Sequence, residues 1–252
     1  PMPETLYEII ARHRPTVFFA TPALFVGMLA LAEGGKKFDL SSIRFCVSAG
    51  EALPAATFTR WKEKFGLEIL DGIGSTEMLH IFISNRMGEA RAGSSGKPVS
   101  GYEVKLVDEN EEAVPAGESG DLWVSGESSA AMYWNDRART HATMRGKWVV
   151  TGDKYRQDEE GFFWFQGRTD DMLKVNGIWV SPPELEHILN EHPAVAESAV
   201  VGVRDQDGLV QVKAFVVLRP GQEASAGFAK QLRAFVKQQA PQRYPRLFEF
   251  VP

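Results

Sequence analysis

The sequence has one cysteine among 252 residues, Cys46. A lone thiol excludes an internal disulfide and fits a reducing compartment, so a cytoplasmic location is the expectation. Cys46 sits in the apolar run IRFCV, which reads as a buried structural thiol rather than a nucleophile. An excess of either charge is also missing. Lys and Arg number 28 against 33 Asp and Glu, for a net charge of -5. That leaves no electrostatic footprint for nucleic acid or for an anionic membrane. The longest apolar stretch, Thr16 to Ala32, is barely enough to span a bilayer and is interrupted by Pro22 and Gly27. No signal peptide, internal repeat or low-complexity tract is visible.

What is present is ordinary globular composition, 44% hydrophobic and 24% charged, enough for one large or two smaller domains. Up to about residue 95, short apolar runs (TVFFA, IRFCVSA, LEIL) alternate with helix-like runs (ALFVGMLALA, PAATFTRWKEKF). Alternation of this kind predicts a helix-covered, mostly parallel sheet. TVFFA reads as a buried strand, with Thr21 as N-cap and Pro22 as first residue of the helix that follows. From 96 to 169, YEVKLVD, GDLWVSG, GKWVVTGD and EGFFWFQG alternate apolar and polar residues between Gly, Asp, Asn and Pro, which predicts antiparallel β structure in a small barrel or sandwich. From 170 to 252 the pattern is compact α+β. It holds a capping box at Ser181–Glu184, two strands joined by RDQDG, and an amphipathic helix carrying Phe228, Leu232, Phe235 and Val236. The fold class expected is therefore α/β and α+β, multidomain, with a boundary near Asp170.

The segment DGIGSTE, Asp71 to Glu77, reads as a glycine-rich loop with hydroxyls for a phosphate and a carboxylate that would repel one. Alone it is a weak signal: it is neither a dinucleotide fingerprint nor a P-loop. A solvated glutamate on a turn is the simpler reading of that segment. TGD (Thr151 to Asp153) offers an acid able to accept two hydrogen bonds from a ribose diol, and GRTDD (Gly167 to Asp171) offers Arg168 for the same sugar or a phosphate. Read singly, each is a turn acid or a surface ion pair.

Four segments stand in order: DGIGSTE, ESGDLWVSGESSAAMYW, WVVTGDKY and GRTDDMLKVNGIWVSPPELE. In this order they resemble the acyl-adenylate-forming superfamily, and with SAGEALP (Ser48 to Pro54) they look most like its benzoate–CoA ligase branch. The resemblance implies the C-terminal part of a large AMP-binding domain at 1–169, followed by a small α+β domain at 170–252. It implies ATP and CoA as co-substrates, an aromatic carboxylate as the acid, and Mg2+ held by Glu77. A divalent cation reverses the local sign, which accounts for a carboxylate in a phosphate loop. The resemblance places Thr76 on the α-phosphate and Ala49, Gly50, Glu51, Asp71, Gly72 and Ile73 around the adenine. Ile73 stands where the family usually has an aromatic residue. Asp153 and Arg168 would bind the ribose. Ala49, Gly74, Leu79, His80 and Ile81 would surround the ring of the acid, Gly74 leaving room for a flat substrate. Lys174 would approach the carboxylate or nucleotide, Asp170 would be the hinge between domains, and Gly177 would let the backbone pass close to the CoA arm. For His80 and Lys174 the residues alone favour a core histidine and an exposed turn lysine.

Two parts of the family pattern are not found: a Ser/Thr/Gly-rich phosphate loop upstream of Asp71, and a Gly-Lys element after a segment like APQRYPRLFEFV. The expectation is a fragment with both ends cut, whose 252 residues alone do not adenylate. Two other functions remain open on the sequence: an adenylation module that loads a carrier protein, and a nucleotide-binding relative without catalysis. The resemblance also allows a homodimer.

Overall fold

The structure is a computed structural model that describes residues 2–35, 38–169, 171–175, 178–204, 206 and 209–251. Helix α1 (Pro3–His13) opens on a proline, whose missing N–H falls where a helix has no partner for it, and closes on Arg14 in the left-handed region. Strand β1 (Val17–Ala20) follows, then α2 (Pro22–Glu33). Thr21 is the N-cap of α2, but its side chain accepts no capping bond. The Thr21 carbonyl instead takes the amides of Leu24 and Phe25. Next come β2 (Phe45–Ser48), α3 (Ala55–Phe65), β3 (Ile69–Gly74), β4 (Ile81–Ser84) and β5 (Lys97–Pro98).

These five strands form one sheet in sequence order. β1, β2 and β3 are parallel, and β4 and β5 turn back antiparallel. Tyr7 and Ile10 of α1, Phe25, Met28 and Leu29 of α2, and Phe58 and Trp61 of α3 bury against Cys46 and Ile69 of the sheet. Phe25 meets Trp61 edge-on at 4.9 Å, and the Tyr7 hydroxyl donates to the Met28 carbonyl at 2.9 Å, so the phenol is buried with its polar end satisfied. TVFFA is not a buried strand. β1 is the sheet edge, and alternation leaves Val17 39% and Phe19 51% exposed while Ala20 is buried. DGIGSTE is likewise not wholly a loop, because β3 runs through Asp71 to Gly74 and only the last three residues leave it.

A second sheet is built from β6 (Glu103–Val107), β7 (Ser119–Ser125), β8 (Met144–Arg145), β9 (Trp148–Gln157) and β10 (Phe163–Arg168), with α4 (Arg137–Thr143) before β8. Its order is β10-β9-β7-β6, with β8 paired to β9, a half-barrel. Leu106, Leu122, Val124, Val149, Tyr155 and Phe163 fill it, together with Met78, Phe82 and Ile83 from around β4. The chain divides into two compact units, Pro1–Thr151 with Tyr155–Phe165, and Gly152–Lys154 with Gln166–Pro252.

The second unit contains the hairpin β11 (Leu173–Val175) and β12 (Ile178–Val180), then α5 (Pro182–Asn190), β13 (Val195–Arg204), β14 (Val210–Leu218), α6 (Ala226–Gln239) and β15 (Leu247–Val251). Ser181 caps α5 by accepting the Glu184 amide. The Glu184 carboxylate reaches Arg243 at 2.8 Å, a contact outside the capping box. β13 and β14 pair antiparallel, and β15 adds to β14 in parallel. Leu185, Leu189, Val200, Val216, Leu232 and Val236 form the buried centre.

Gly96 ties the two sheets of the first unit together. Its carbonyl accepts the Phe163 amide at 2.8 Å, and its φ is +94°. A Cβ there would stand 2.1 Å from the Ser84 carbonyl carbon. Gly101 has φ +93°, but a Cβ there would meet no described atom within 4 Å. Gly101→Ala should therefore show backbone strain alone, about 1–3 kcal/mol, and Gly96→Ala distinctly more. Denaturant titration of both variants checks this, and equal losses would contradict the close approach at Gly96.

Candidate functional site

β3 is gripped on both sides. Asp71 pairs in parallel with Ser48, and Gly72 and Ile73 pair antiparallel with Ser84 and Ile83. A Cβ on Gly72 would fall 2.6 Å from the Ile83 carbonyl oxygen, and one on Gly74 would fall 2.4 Å from that of His80. Glycine at 74 is thus required by the strand pairing itself, whatever ligand lies nearby. Asn85, which the sequence reading passed over, fastens the same region. It is buried, and its Nδ2 donates to the carbonyls of Asp71 at 3.1 Å and Ser94 at 2.6 Å. Its Oδ1 accepts the Arg91 amide at 3.1 Å. An asparagine just beyond a strand, with no apolar neighbour pattern of its own, was the signal available.

The Asp71 side chain is buried, and among the described residues its Oδ1 has no hydrogen-bond partner. Burial pushes its carboxyl up to about 7, and the Ser48 hydroxyl and the Leu53 and Gly72 amides offset only part of that. Ala49, Gly50 and Glu51 follow β2 as a loop, with Gly50 at φ +98° and Glu51 exposed. Ile73 packs against the half-barrel core.

After Gly74 the chain makes a tight turn, with the Ser75 amide donating to the His80 carbonyl at 3.3 Å and the Leu79 amide to the Thr76 carbonyl at 3.2 Å. Thr76 is exposed at its tip. Leu79 takes φ 73° and is 78% exposed, which presents an apolar side chain to the outside at the cost of an unusual backbone. His80 is exposed too, and the Phe19 ring meets it edge-on at 5.9 Å. The structure therefore puts Leu79 and His80 on one turn, Ile81 beside them at the start of β4, and adds Phe19 from β1. No periodicity links Phe19 to that turn.

Glu77 is the most organised side chain on the turn. Tyr133 Oη donates to its Oε1 at 2.5 Å, and Arg139 Nη2 stands 4.0 Å from the same oxygen. Burial raises its carboxyl, but the Tyr133 hydroxyl, its own amide, the Ser75 hydroxyl and Arg139 together hold it below the usual carboxylate range. Among the described residues no three His, Cys, Asp or Glu side chains form a metal cage.

In the second unit Arg168 Nη1 reaches Asp153 Oδ1 at 3.0 Å. The guanidinium lies across Gly152, where a Cβ would be 2.8 Å from Nη2, and the Thr169 amide donates to the Gly152 carbonyl at 2.9 Å. The two residues assigned to a ribose thus form one ion pair. Lys174 is exposed on β11, with its ammonium 5.0 Å over the Trp179 ring opposite. Asp170 and Gly177, assigned as hinge and CoA-side loop, lie outside the described residues. No helix among the described residues is long and apolar enough to cross a membrane.

The Asp71 environment makes a prediction. Its folded pKa of about 7 lies above the unfolded value, so the stabilisation from the protonated acid is complete below pH ~4 and is lost as pH rises to ~7. Asp71→Asn stays neutral throughout. Wild type should lose on the order of 2–4 kcal/mol relative to Asp71→Asn between those limits. Melting temperatures of both proteins across that pH range measure it, and parallel curves would mean Asp71 is ionised in the fold.

Residues 1–134 match the family model for AMP-binding enzymes, and residues 184–252 match that for the AMP-binding enzyme C-terminal domain. A benzoate–CoA ligase of Thauera aromatica is 51% identical over the whole chain, which covers 48% of that relative. The crystal structure of the anthranilate CoA ligase AuaEII with anthranoyl-AMP superposes with TM-score 0.89 at 48% identity, covering 99% of this chain and 48% of that one. A benzoate CoA ligase from Burkholderia xenovorans LB400 superposes with TM-score 0.87 at 48% identity, covering 100% and 50%. The chain spans about half the length of the relatives it matches. Two family models in succession, the first over more than half of the chain, show that it belongs to the AMP-binding enzyme family.

Proposed function

We propose that this chain is part of an AMP-forming aryl-CoA ligase. The supporting observation is 51% identity along its entire length to a benzoate–CoA ligase. In the first step an oxygen of an aromatic carboxylate attacks the α-phosphorus of ATP, an O–P bond forms, and pyrophosphate leaves with the electrons of the broken bond. In the second step the sulfur of CoA attacks the acyl carbon, and AMP departs. Catalysis of this kind is mostly positioning and charge stabilisation.

The residues take their roles by unit. In the first, the exposed Thr76 hydroxyl bonds the α-phosphate. Asp71 and the loop Ala49 to Glu51 border the adenine with Gly72 and Ile73. Ala49, Gly74, Leu79, His80 and Ile81 receive the aromatic ring. Glu77 fits Mg2+: it is a hard oxygen donor held ionised at neutral pH, and Mg2+ is commonly bound by one or two carboxylates plus substrate phosphates rather than by a protein cage. Bound there, Mg2+ would neutralise charge growing on the phosphoryl oxygens. In the second unit Asp153 and Arg168 receive the ribose hydroxyls, and Lys174 approaches the carboxylate or nucleotide.

The test is benzoate-dependent pyrophosphate exchange, followed by capture with CoA, in the intact natural protein. Exchange without any preference for aromatic over aliphatic acids would overturn the aryl assignment. Asp153→Ala removes charge-assisted hydrogen bonds worth about 1.5–3 kcal/mol, so the KM for ATP should rise roughly 10- to 100-fold with little change in that for the acid. His80→Ala should reorder benzoate against ortho- and para-substituted benzoates, each by about 1–3 kcal/mol in kcat/KM. A uniform loss across all acids would make His80 structural.

A further inference from the structure

Glu77 is held from two sides by a segment more than fifty residues away. Its carbonyl accepts the Ala130 amide at 2.7 Å, and its carboxylate accepts the Tyr133 hydroxyl. The neighbouring Met78 carbonyl accepts the Ser128 hydroxyl at 2.8 Å. Tyr133 is fixed in its turn: its amide donates to Thr140 Oγ1 at 3.0 Å, and that hydroxyl donates to the Asp136 carbonyl at 2.7 Å. Asp136 then caps α4 by accepting the Arg139 amide at 2.9 Å. The cap sets Arg139 so that its guanidinium carbon lies 4.1 Å over the Tyr133 ring.

The two contacts on Glu77 Oε1 differ in kind. The Tyr133 contact is a short O–H···O⁻ bond to a part-buried carboxylate, the strong class of hydrogen bond. The Arg139 contact is a 4.0 Å ion pair whose arginine side chain is 62% exposed, so it is screened and easily exchanged. One contact fixes geometry. The other supplies a mobile positive charge, on a long stem that can leave the carboxylate while still covering the ring.

Resting on the reading of Glu77 given above, we infer that Tyr133 is a positioning residue for Glu77 and that Arg139 is its resident counter-charge, which yields its place to the divalent cation arriving with the nucleotide. At 4.0 Å from Oε1, the Arg139 guanidinium stands where it can balance the Glu77 carboxylate in the ligand-free protein. Like charges then oppose simultaneous occupancy, so the arginine gives way.

Mn2+ is the probe, its free concentration followed by electron paramagnetic resonance with and without a non-hydrolysable ATP analogue, in the intact natural protein. Tyr133→Phe should weaken nucleotide-dependent Mn2+ binding on the order of tenfold. Arg139→Gln should tighten it by roughly two- to fivefold, an effect that shrinks with added salt. In a Glu77→Gln background, Tyr133→Phe should cause no further loss, an outcome that a merely structural tyrosine would not give. If Tyr133→Phe does not fold, the opposite sign expected of Arg139→Gln still decides. Wild-type affinity in both variants, or weaker Mn2+ binding by Arg139→Gln, would overturn this inference alone. Absence of nucleotide-dependent Mn2+ binding in the wild type would overturn the metal role of Glu77, and this inference with it.

Discussion

The first unit depends on one close approach, that of β3 to β4. Two glycines make it feasible, because a Cβ at 72 or 74 would enter the carbonyl oxygens opposite. With both positions bare, the strand that pairs in parallel with β2 turns back on itself within six residues. The consequences run in both directions along the chain. Ile69, at the start of β3, belongs to the core under the helices, whereas Met78, Phe82 and Ile83 belong to the core of the half-barrel. The turn between them is therefore anchored in two hydrophobic cores, and Thr76 and Glu77 sit on ground that neither core can release separately. Asn85 adds polar fastening where the backbone would otherwise be left unsatisfied.

Much of this was legible in the sequence, and the gaps have physical causes. Proline at a first helical turn, serine before Pro182, and alternation in YEVKLVD and GDLWVSG each predicted an element that formed. Composition alone placed TVFFA in the interior, yet a sheet has edges, and an edge strand exposes every second residue however apolar it is. Strand β15 was missed because LFEFV has too few residues to show a period and follows a proline-rich turn. DGIGSTE looked like a loop because glycine usually signals one. Here glycine marks backbones in close approach inside a strand. The partners of Glu77 were invisible for another reason. Tyr133 and Arg139 are distant in sequence, and nothing local in either segment refers to the other.

Asp153 and Arg168 illustrate how a partly exposed ion pair is held. One is an acid only 13% exposed and the other a long flexible cation. They bond one another, and Gly152 leaves the space in which the guanidinium lies. Because the arginine remains 47% exposed, the pair contributes only about 0–1 kcal/mol, and a ligand that replaces one partner gives up little. Strength is not what such a pair supplies. It holds two opposite charges 3.0 Å apart.

Cys46 carries a practical consequence. It is the sole thiol in the sequence, it is fully buried, and burial pushes its pKa to about 12. Thiolate is the reactive form, so at neutral pH this residue is nearly silent to maleimides, iodoacetamides and spin labels. A cysteine placed on the exposed turn at Leu79, or on α4 beside Arg139, would be the one group such reagents modify. The sequence thus offers a background nearly blank to thiol reagents, and movement at either place is open to a single attached probe without first replacing Cys46.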